Sequence, residues 1–192
     1  MFLLRGVRQS ALLFRRHARK IRAVTGPRPL EFDAIAEARR QWEARDWPAP
    51  AAMAAATSIM RAQQIVQARV DDALRSFDLS FARYEALVLL YFSRSGALPL
   101  GKMGDRLMLH PTSVTNIVDR LEASGYAERA PHPTDRRTTL ATITAEGRRI
   151  TEKATESVSA ANIGMGDLTA DELDTITSAL RRLRVDFGDF PG

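Results

Sequence analysis

The sequence contains no cysteine. This absence excludes disulfide bonds, zinc sites built from thiolates and regulation by thiol oxidation. Long hydrophobic runs are also missing, because the longest one extends only from Ala86 to Phe92. A membrane-spanning helix needs about 20 apolar residues. We therefore expect a protein without a membrane span that works in the cytoplasm.

Residue types that build catalytic and metal sites are scarce. The three histidines, His17, His110 and His132, lie in unrelated segments of the chain. The sequence has no glycine-rich phosphate loop and no helix with paired histidines. These patterns predict no metal site and no cofactor, and they argue against an enzyme.

Acidic residues are absent from the first thirty positions. Eight of the 28 basic residues precede Glu31, which leaves 20 for the rest of the chain against all 23 acids. The body is therefore mildly acidic, and the net charge of +5 is no evidence of nucleic-acid binding. Four alternatives remain for residues 1–30: a disordered tail, a docked helix, an arm on the DNA backbone, or extra residues from an upstream start codon. We expect a poorly ordered or loosely docked basic extension.

What the sequence does contain is a helix-turn-helix pattern between Leu98 and Thr144. A first helix over Leu98–Leu107 is followed by a second over Pro111–Ser124 and by two β-prone segments. The second helix carries apolar residues at i, i+3, i+4 and i+7, namely Val114, Ile117, Val118 and Leu121. Helix, turn, helix and hairpin is the order of a winged helix, which places its second helix in the DNA major groove.

The opposite side of this second helix carries short hydroxyl and amide side chains beside an arginine. Such side chains suit contacts with base edges and phosphates. The candidate DNA-binding residues on this side are Thr112, Ser113, Thr115, Asn116 and Arg120. Lys102 and Arg106 of the first helix are candidates for phosphate contacts. His110 precedes Pro111, a favoured first helical residue, and is predicted to cap the helix or touch the DNA backbone.

The loop between the two β-prone segments predicts the wing. Arg136 and Arg137 at its tip are candidates for the minor groove, where an inserted arginine meets a strongly negative potential. Asp135 would repel phosphate on its own, but a carboxylate can orient a neighbouring guanidinium through a charge-assisted hydrogen bond. The alternative is an ion pair in a solvated turn.

Four motifs together resemble the multiple antibiotic resistance regulator (MarR) family. They are Pro111–Glu122, Gly125-Tyr126, Asp135-Arg136-Arg137 and Ile143-Thr144-Ala145-Glu146-Gly147. The resemblance extends more weakly from about Ala51 to Phe187 and does not cover the first thirty residues. It implies that Asp135 orients Arg137. It also implies a dimer in which N- and C-terminal helices of two chains interlock, with one winged lobe on each side.

Helical patterns flank the winged lobe on both sides. Helices are predicted from an N-cap at Asp33 to about Asp46, from Ala51 to Ser76, from Phe81 to Phe92 after an N-cap at Ser80, from an N-cap at Thr144 to about Asn162, and from the capping box at Thr169 to the C-terminus. The helix over Phe81–Phe92 is apolar on most sides and should be buried. The expected fold is mainly α-helical with a small β-hairpin wing. We assign residues 31–77 and 146–192 to dimerisation helices and residues 78–145 to the DNA-binding lobe.

The sequence favours a homodimeric repressor that binds an inverted repeat in double-stranded DNA. A small lipophilic or aromatic effector would bind in a cleft lined by Trp42, Met60, Gln63, Tyr84 and Val88. The alternative for each of these five residues is an ordinary place in the core. The alternative for the whole chain is a helical interaction protein that keeps the fold without binding DNA. The signature of this alternative would be acidic residues that keep DNA away from the second helix, and Asp119 and Glu122 are the candidates.

Overall fold

A computed structural model of the protein describes residues 30–135 and 137–191. The predicted basic extension, apart from Leu30, lies outside these residues, and so does Arg136. The chain divides into two compact units, with the boundary between Ser58 and Ile59. None of the helices in the described ranges combines the length and the hydrophobicity that a bilayer crossing requires.

In the first unit, helix α1 (Ala34–Glu43) begins at the predicted N-cap. The carboxylate of Asp33 accepts two backbone N–H groups of the first turn, at 2.9 and 3.2 Å. The helix ends earlier than the predicted Asp46. The indole N–H of Trp42 donates to the carbonyl oxygen of Pro48 at 2.9 Å, so the chain has already folded back at this point.

Two long helices follow. Helix α2 (Pro50–Leu74) continues into a short 3-10 turn (Arg75–Phe77), and helix α3 (Phe81–Phe92) begins at the predicted N-cap Ser80. The apolar stripe of α2 is buried only near its C-terminal end, at Val70 and Leu74. The prediction that α3 is buried on most sides is wrong at Phe92, which is 78% exposed. The buried side of α3 consists of Ala86, Leu87 and Leu90.

The winged lobe contains a strand that the sequence pattern did not predict. Its elements are β1 (Ala97–Pro99), α4 (Leu100–Leu107), α5 (Pro111–Ala123), β2 (Ala127–Pro131) and β3 (Thr139–Ile143). The strands form an antiparallel sheet in the order β1–β3–β2, so the predicted two-stranded hairpin is corrected to three strands. Leu98 was predicted to be helical, but it lies in β1 opposite Ala141 of β3. Strand β1 covers an edge of β3 that a hairpin would leave unpaired.

The C-terminal part consists of α6 (Ala145–Ala160), a 3-10 turn (Asn162–Gly164) and α7 (Ala170–Asp186). Both predicted N-caps are confirmed. The capping box at Thr169 is complete, because Glu172 accepts the backbone N–H of Thr169 at 2.8 Å and donates its own N–H to the Thr169 hydroxyl at 3.3 Å.

The core of the second unit joins α3 and α6 to the winged lobe. A buried aliphatic side chain stabilises the fold by about 1.5–3 kcal/mol, so this cluster determines which sides of the helices face solvent. Its fully buried members include Leu87, Leu90, Met103, Val118, Leu121, Ala141 and Ala154.

Candidate nucleic-acid interface

The apolar stripe of α5 determines which of its sides is exposed. Val114, Val118 and Leu121 are buried, and Ile117 is half-buried. The hydroxyl of Thr115 donates to the carbonyl oxygen of Pro111 at 3.1 Å and keeps lone pairs for an incoming donor. All the predicted DNA-binding side chains of this helix are exposed on the other side: Thr112, Ser113, Thr115, Asn116 and Arg120. Together they form what we call the polar face of α5.

His110 caps the N-terminus of α5, as predicted. Its Nδ1 accepts the backbone N–H of Thr112 at 3.3 Å, and Pro111 occupies the first helical position. Because Nδ1 is an acceptor, the neutral ring carries its proton on Nε2, a donor suited to a phosphate oxygen. The positive end of the helix dipole lies at the same place, so this corner of the lobe favours anions.

The turn between α4 and α5 depends on Gly104. Its carbonyl oxygen accepts the backbone N–H of Leu109 at 3.0 Å, and a Cβ at Gly104 would lie only 3.2 Å from the carbonyl oxygen of Leu109. Met108 adopts a left-handed conformation in this turn, with φ of 54°. The predicted phosphate-binding side chains of α4, Lys102 and Arg106, are both exposed.

Two side chains hold the wing turn together. The Nδ1 of His132 accepts the backbone N–H groups of Thr134 and Asp135, at 3.3 and 3.2 Å. The carboxylate of Asp135 accepts the hydroxyl of Thr138 at 2.7 Å and the backbone N–H of Arg137 at 3.0 Å. These hydrogen bonds, the one from Thr138 foremost, lower the pKa of Asp135 below its ordinary value.

The contact predicted between Asp135 and the Arg137 guanidinium is corrected by the structure. Within the described residues the Asp135 carboxylate forms no ion pair, and it bonds to the backbone of Arg137 instead of the side chain. An Asp side chain readily accepts the backbone N–H of the residue two positions ahead. Unlike an ion pair with the guanidinium, this bond costs no conformational entropy of the long Arg137 side chain. The side chain of Arg137 is exposed at the wing. Arg136, the other wing candidate, lies outside the described residues.

Arg129, which the sequence analysis missed, connects the wing to α5. Its guanidinium contacts Asp119 Oδ1 at 2.7 Å, the carboxylate of Glu122, and the carbonyl oxygen of Thr115 at 3.1 Å. Its backbone N–H donates to Glu122 Oε1 at 2.8 Å. The two acids on α5 were a signal that a cation lies nearby. Choosing Arg129 as that cation requires the placement of β2 against α5, which no local pattern encodes.

The Gly125-Tyr126 motif contacts the motif that begins at Thr144. This contact lies where β3 leads into α6, which we call the base of the wing. Thr144 caps α6 by accepting the backbone N–H of Gly147 at 2.9 Å, and its hydroxyl donates to the carbonyl oxygen of Gly125 at 2.8 Å. Its backbone N–H donates to the carbonyl oxygen of Tyr126 at 3.1 Å. A Cβ at Gly147 would lie 2.0 Å from that same oxygen, so a glycine is required for α6 to come this close.

Two of the five effector candidates, Tyr84 and Val88, line a cavity of about 310 Å³ between α3 and α6. Hydrogen bonds join side chains of α3 and α6 at this cavity. The Tyr84 hydroxyl is 3.0 Å from Thr155 Oγ1, and the Tyr91 hydroxyl donates to Glu152 Oε1 at 2.7 Å. The hydrogen bond to Glu152 raises the pKa of Tyr91.

Two other effector candidates of the second unit, Met60 and Gln63, do not line this cavity. Gln63 lines a smaller one of about 140 Å³ together with Phe81 and Ile163. Met60 is 67% exposed. Trp42 belongs to the first unit, where its ring packs edge-on against Trp47 with 4.9 Å between the centroids. Of the four effector candidates in the second unit, only Tyr84 and Val88 line this cavity, so the predicted cleft is corrected for Met60 and Gln63. For Trp42 the cleft stays a prediction.

Comparison with known proteins identifies the family. A sequence model of the MarR family matches residues 79–139. The structure of Sco5413, a MarR family transcriptional regulator from Streptomyces coelicolor, is 54% identical in sequence and superposes with a TM-score of 0.68. The aligned region covers 73% of this chain and 98% of Sco5413. The chain belongs to the MarR family. The winged helix expected from the four motifs is thereby confirmed.

Relatives with lower sequence identity include another transcriptional regulator and a MarR structure with bound DNA. The regulator MhqR of Bacillus subtilis (strain 168), an HTH-type transcriptional regulator, is 34% identical over 89 residues, 46% of this chain. The match spans only 60% of MhqR, less than two thirds of its length. The C80S mutant of MarR from E. coli, solved with operator DNA, shares the fold with a TM-score of 0.61, at 24% identity over 67% of this chain and 91% of the mutant. The predicted class, a transcriptional regulator rather than an enzyme, is confirmed by Sco5413, which is 54% identical and is described as such a regulator.

Proposed function

We propose that this MarR-family protein is a homodimeric repressor that binds an inverted-repeat operator in the cytoplasm and is released by a small ligand. The observation that carries the proposal is the polar face of α5, which lies opposite the buried Val114, Val118 and Leu121. The E. coli MarR mutant solved with operator DNA supports DNA as the partner. In a two-fold dimer, two such helices enter successive major grooves about 34 Å apart.

In this proposal, the uncharged side chains of the polar face recognise bases, and basic side chains on and around it contact phosphates. An amide such as that of Asn116 pairs bidentately with adenine, and hydroxyl groups accept or donate to any base. We assign base contacts to Thr112, Ser113, Thr115 and Asn116. Phosphate and minor-groove contacts are assigned to Lys102, Arg106, Arg120, Arg136 and Arg137, with Asp135 shaping the wing turn.

Exposed apolar side chains on the outer helices support the dimer. Ile59 and Ile65 of α2 are 42% and 46% exposed, and Ile176 and Leu183 of α7 are 38% and 46% exposed. Apolar stripes that find no cover in their own chain are typical of surfaces that pack against another chain. We therefore assign dimerisation to residues 31–77 and 146–192 and DNA binding to residues 78–145.

The cavity between α3 and α6 supports an effector site. Its walls combine Tyr84, Val88, Tyr91 and Phe92 with a few polar atoms from α6. Such a lining suits a small lipophilic or aromatic compound whose polar group meets the hydroxyls. Occupancy would act on DNA binding through α6, which is joined to the base of the wing at Thr144.

A gel shift with the DNA upstream of the chain's own gene tests the DNA-binding part of the proposal. We expect a single shifted complex with two chains per inverted repeat, weakened as salt rises because phosphate contacts release counterions. The rival is a helical interaction protein that keeps the fold without binding DNA. A failure to bind any inverted repeat at low salt would favour that rival.

A panel of small aromatic acids, added to the preformed complex, tests the effector site. An acid that enters the cavity should release the parent protein from DNA. It should not release the variant Val88→Trp, in which the larger side chain fills the cavity. The variant must still bind DNA like the parent, which serves as the internal control. Release of both proteins by the same compound would place the effector elsewhere.

A further inference from the structure

Two carboxylates lie on α5 where DNA would approach. Asp119 is 54% exposed beside the polar face, and Glu122 is 32% exposed next to it. An unpaired carboxylate at a phosphate-binding surface opposes association, because like charges repel. Within the described residues, Arg129 of β2 forms an ion pair with both acids.

We infer that Arg129 is a positioning residue for DNA recognition, which holds the wing strand against α5 and shields DNA from Asp119 and Glu122. The inference rests on the proposed function. The α5 residues that it contacts, Thr115, Asp119 and Glu122, are spaced i, i+4 and i+7 and therefore lie along one side of the helix. Arg129 thus fixes one edge of the polar face.

The geometry indicates that Arg129 acts indirectly and does not bind phosphate itself. Its side chain is only 26% exposed, and its donors already serve a carbonyl oxygen at 3.1 Å and the two carboxylates. A planar guanidinium can satisfy three acceptors in this arrangement, whereas a lysine ammonium is a single point charge. The Arg129 guanidinium and the carboxylates of Asp119 and Glu122 have a net charge of −1. Without Arg129 the two carboxylates have a net charge of −2.

Operator affinity measured by fluorescence anisotropy tests this inference with four variants. Arg129→Met should weaken binding about tenfold at low salt, because two carboxylates then face the phosphates. Arg129→Lys should fall between this variant and the parent. The triple variant Arg129→Met/Asp119→Asn/Glu122→Gln should recover most of the loss, since neutral amides do not repel DNA. Arg149→Met is the matched control, because it breaks an exposed arginine pair on α6, with Glu146, and should leave affinity unchanged.

Two further measurements separate this role from simpler ones. The slope of log affinity against log salt should stay the same in Arg129→Met, whereas loss of a direct phosphate contact lowers it by about 0.9. A triple variant as weak as Arg129→Met would overturn the shielding of DNA by Arg129 and leave it only the role of holding β2 against α5. Thermal melting checks that each variant folds.

If Arg129→Met does not fold, the double variant Asp119→Asn/Glu122→Gln in the parent background decides the matter. We expect it to bind DNA about threefold or more tightly, with weaker preference between operators, because the Arg129 charge is no longer neutralised. Unchanged or weaker binding would overturn the inference. A parent protein that binds no DNA refutes the proposed function itself, while a parent that binds without this coupling refutes only the role of Arg129.

Discussion

The contact between Gly147 and the wing base allows one substitution to be predicted in magnitude. A Cβ added at Gly147 would lie 2.0 Å from the carbonyl oxygen of Tyr126 and 2.9 Å from Ile143 Cγ1, whereas ordinary contacts begin near 3.4 Å. The start of α6 must then move away by about 1 Å or more, since the nearest neighbour is backbone. That movement also breaks the hydrogen bond from the Thr144 N–H to Tyr126, which is 3.1 Å long.

The expected cost of Gly147→Ala follows from these contacts. Overpacking of this kind costs about 1–3 kcal/mol, and the lost backbone hydrogen bond adds about 1 kcal/mol. The higher helix propensity of alanine offsets up to about 1 kcal/mol. The free energy of unfolding should therefore fall by about 1–4 kcal/mol, which lowers Tm by about 2–4 °C per kcal/mol for a chain of this size.

Gly101→Ala is the matched control, because Gly101 is also helical but has nothing within 4 Å of its added Cβ. Here the same substitution should leave stability unchanged or raise it by about 0.5 kcal/mol. Both variants are measured by urea and thermal unfolding followed by circular dichroism, at one fixed protein concentration because a dimer gains stability with concentration. Equal unfolding free energies for the two variants would refute the close approach of α6 to the wing base.

The remaining predictions concern the proposed DNA-binding surface. Arg137→Ala should weaken operator binding more than Arg94→Ala and lower the log–log salt slope by about 0.9, and equal effects would contradict the wing assignment. In selections from randomised operators, Asn116→Ala should lose about 1–3 kcal/mol of discrimination at one base per half-site, whereas Arg120→Ala should weaken binding to all sequences; an Asn116 variant with unchanged base preferences would disprove its base contact. The pKa of Asp135 is lowered, so its carboxylate supports the wing turn at neutral pH and this support is lost as the pH falls below the ordinary value of 3.8. The NMR shift of the Arg137 amide should follow that titration and stay constant in Asp135→Asn, and a midpoint above 3.8 would contradict the hydrogen bonding described here.

Features set by neighbouring residues could be predicted from the sequence. The N-caps at Ser80, Thr144 and Thr169 were predicted because a hydroxyl before an apolar helical pattern satisfies N–H groups of its own first turn. The buried stripe of α5, with Val114 and Val118, was predicted for the same reason, since helical spacing alone determines which side chains share a face.

Features that join distant parts of the chain could not be predicted in this way. Strand β1 is only three residues long and contains Pro99, so its pairing partner in β3 defines it and its own composition does not. Arg129 meets Asp119 only because β2 packs beside α5. The cavity at Tyr84 is completed by residues of α6 that lie far along the chain, such as Thr155. The winged-helix fold was therefore predictable, while the lining of the candidate cavity depended on the tertiary fold.

The junction at Thr144 turns α6 into a lever. The helix has 16 residues, which corresponds to a length of about 24 Å. One end is fastened to the wing through Thr144 and Gly147, and the side chains of Thr151 and Thr155 further along form a wall of the cavity. A tilt of α6 by only about 5° about its far end would carry the base of the wing by about 2 Å, enough to break a hydrogen bond to DNA. Under the proposed function, a small displacement at the cavity would therefore be converted into a loss of fit at the operator.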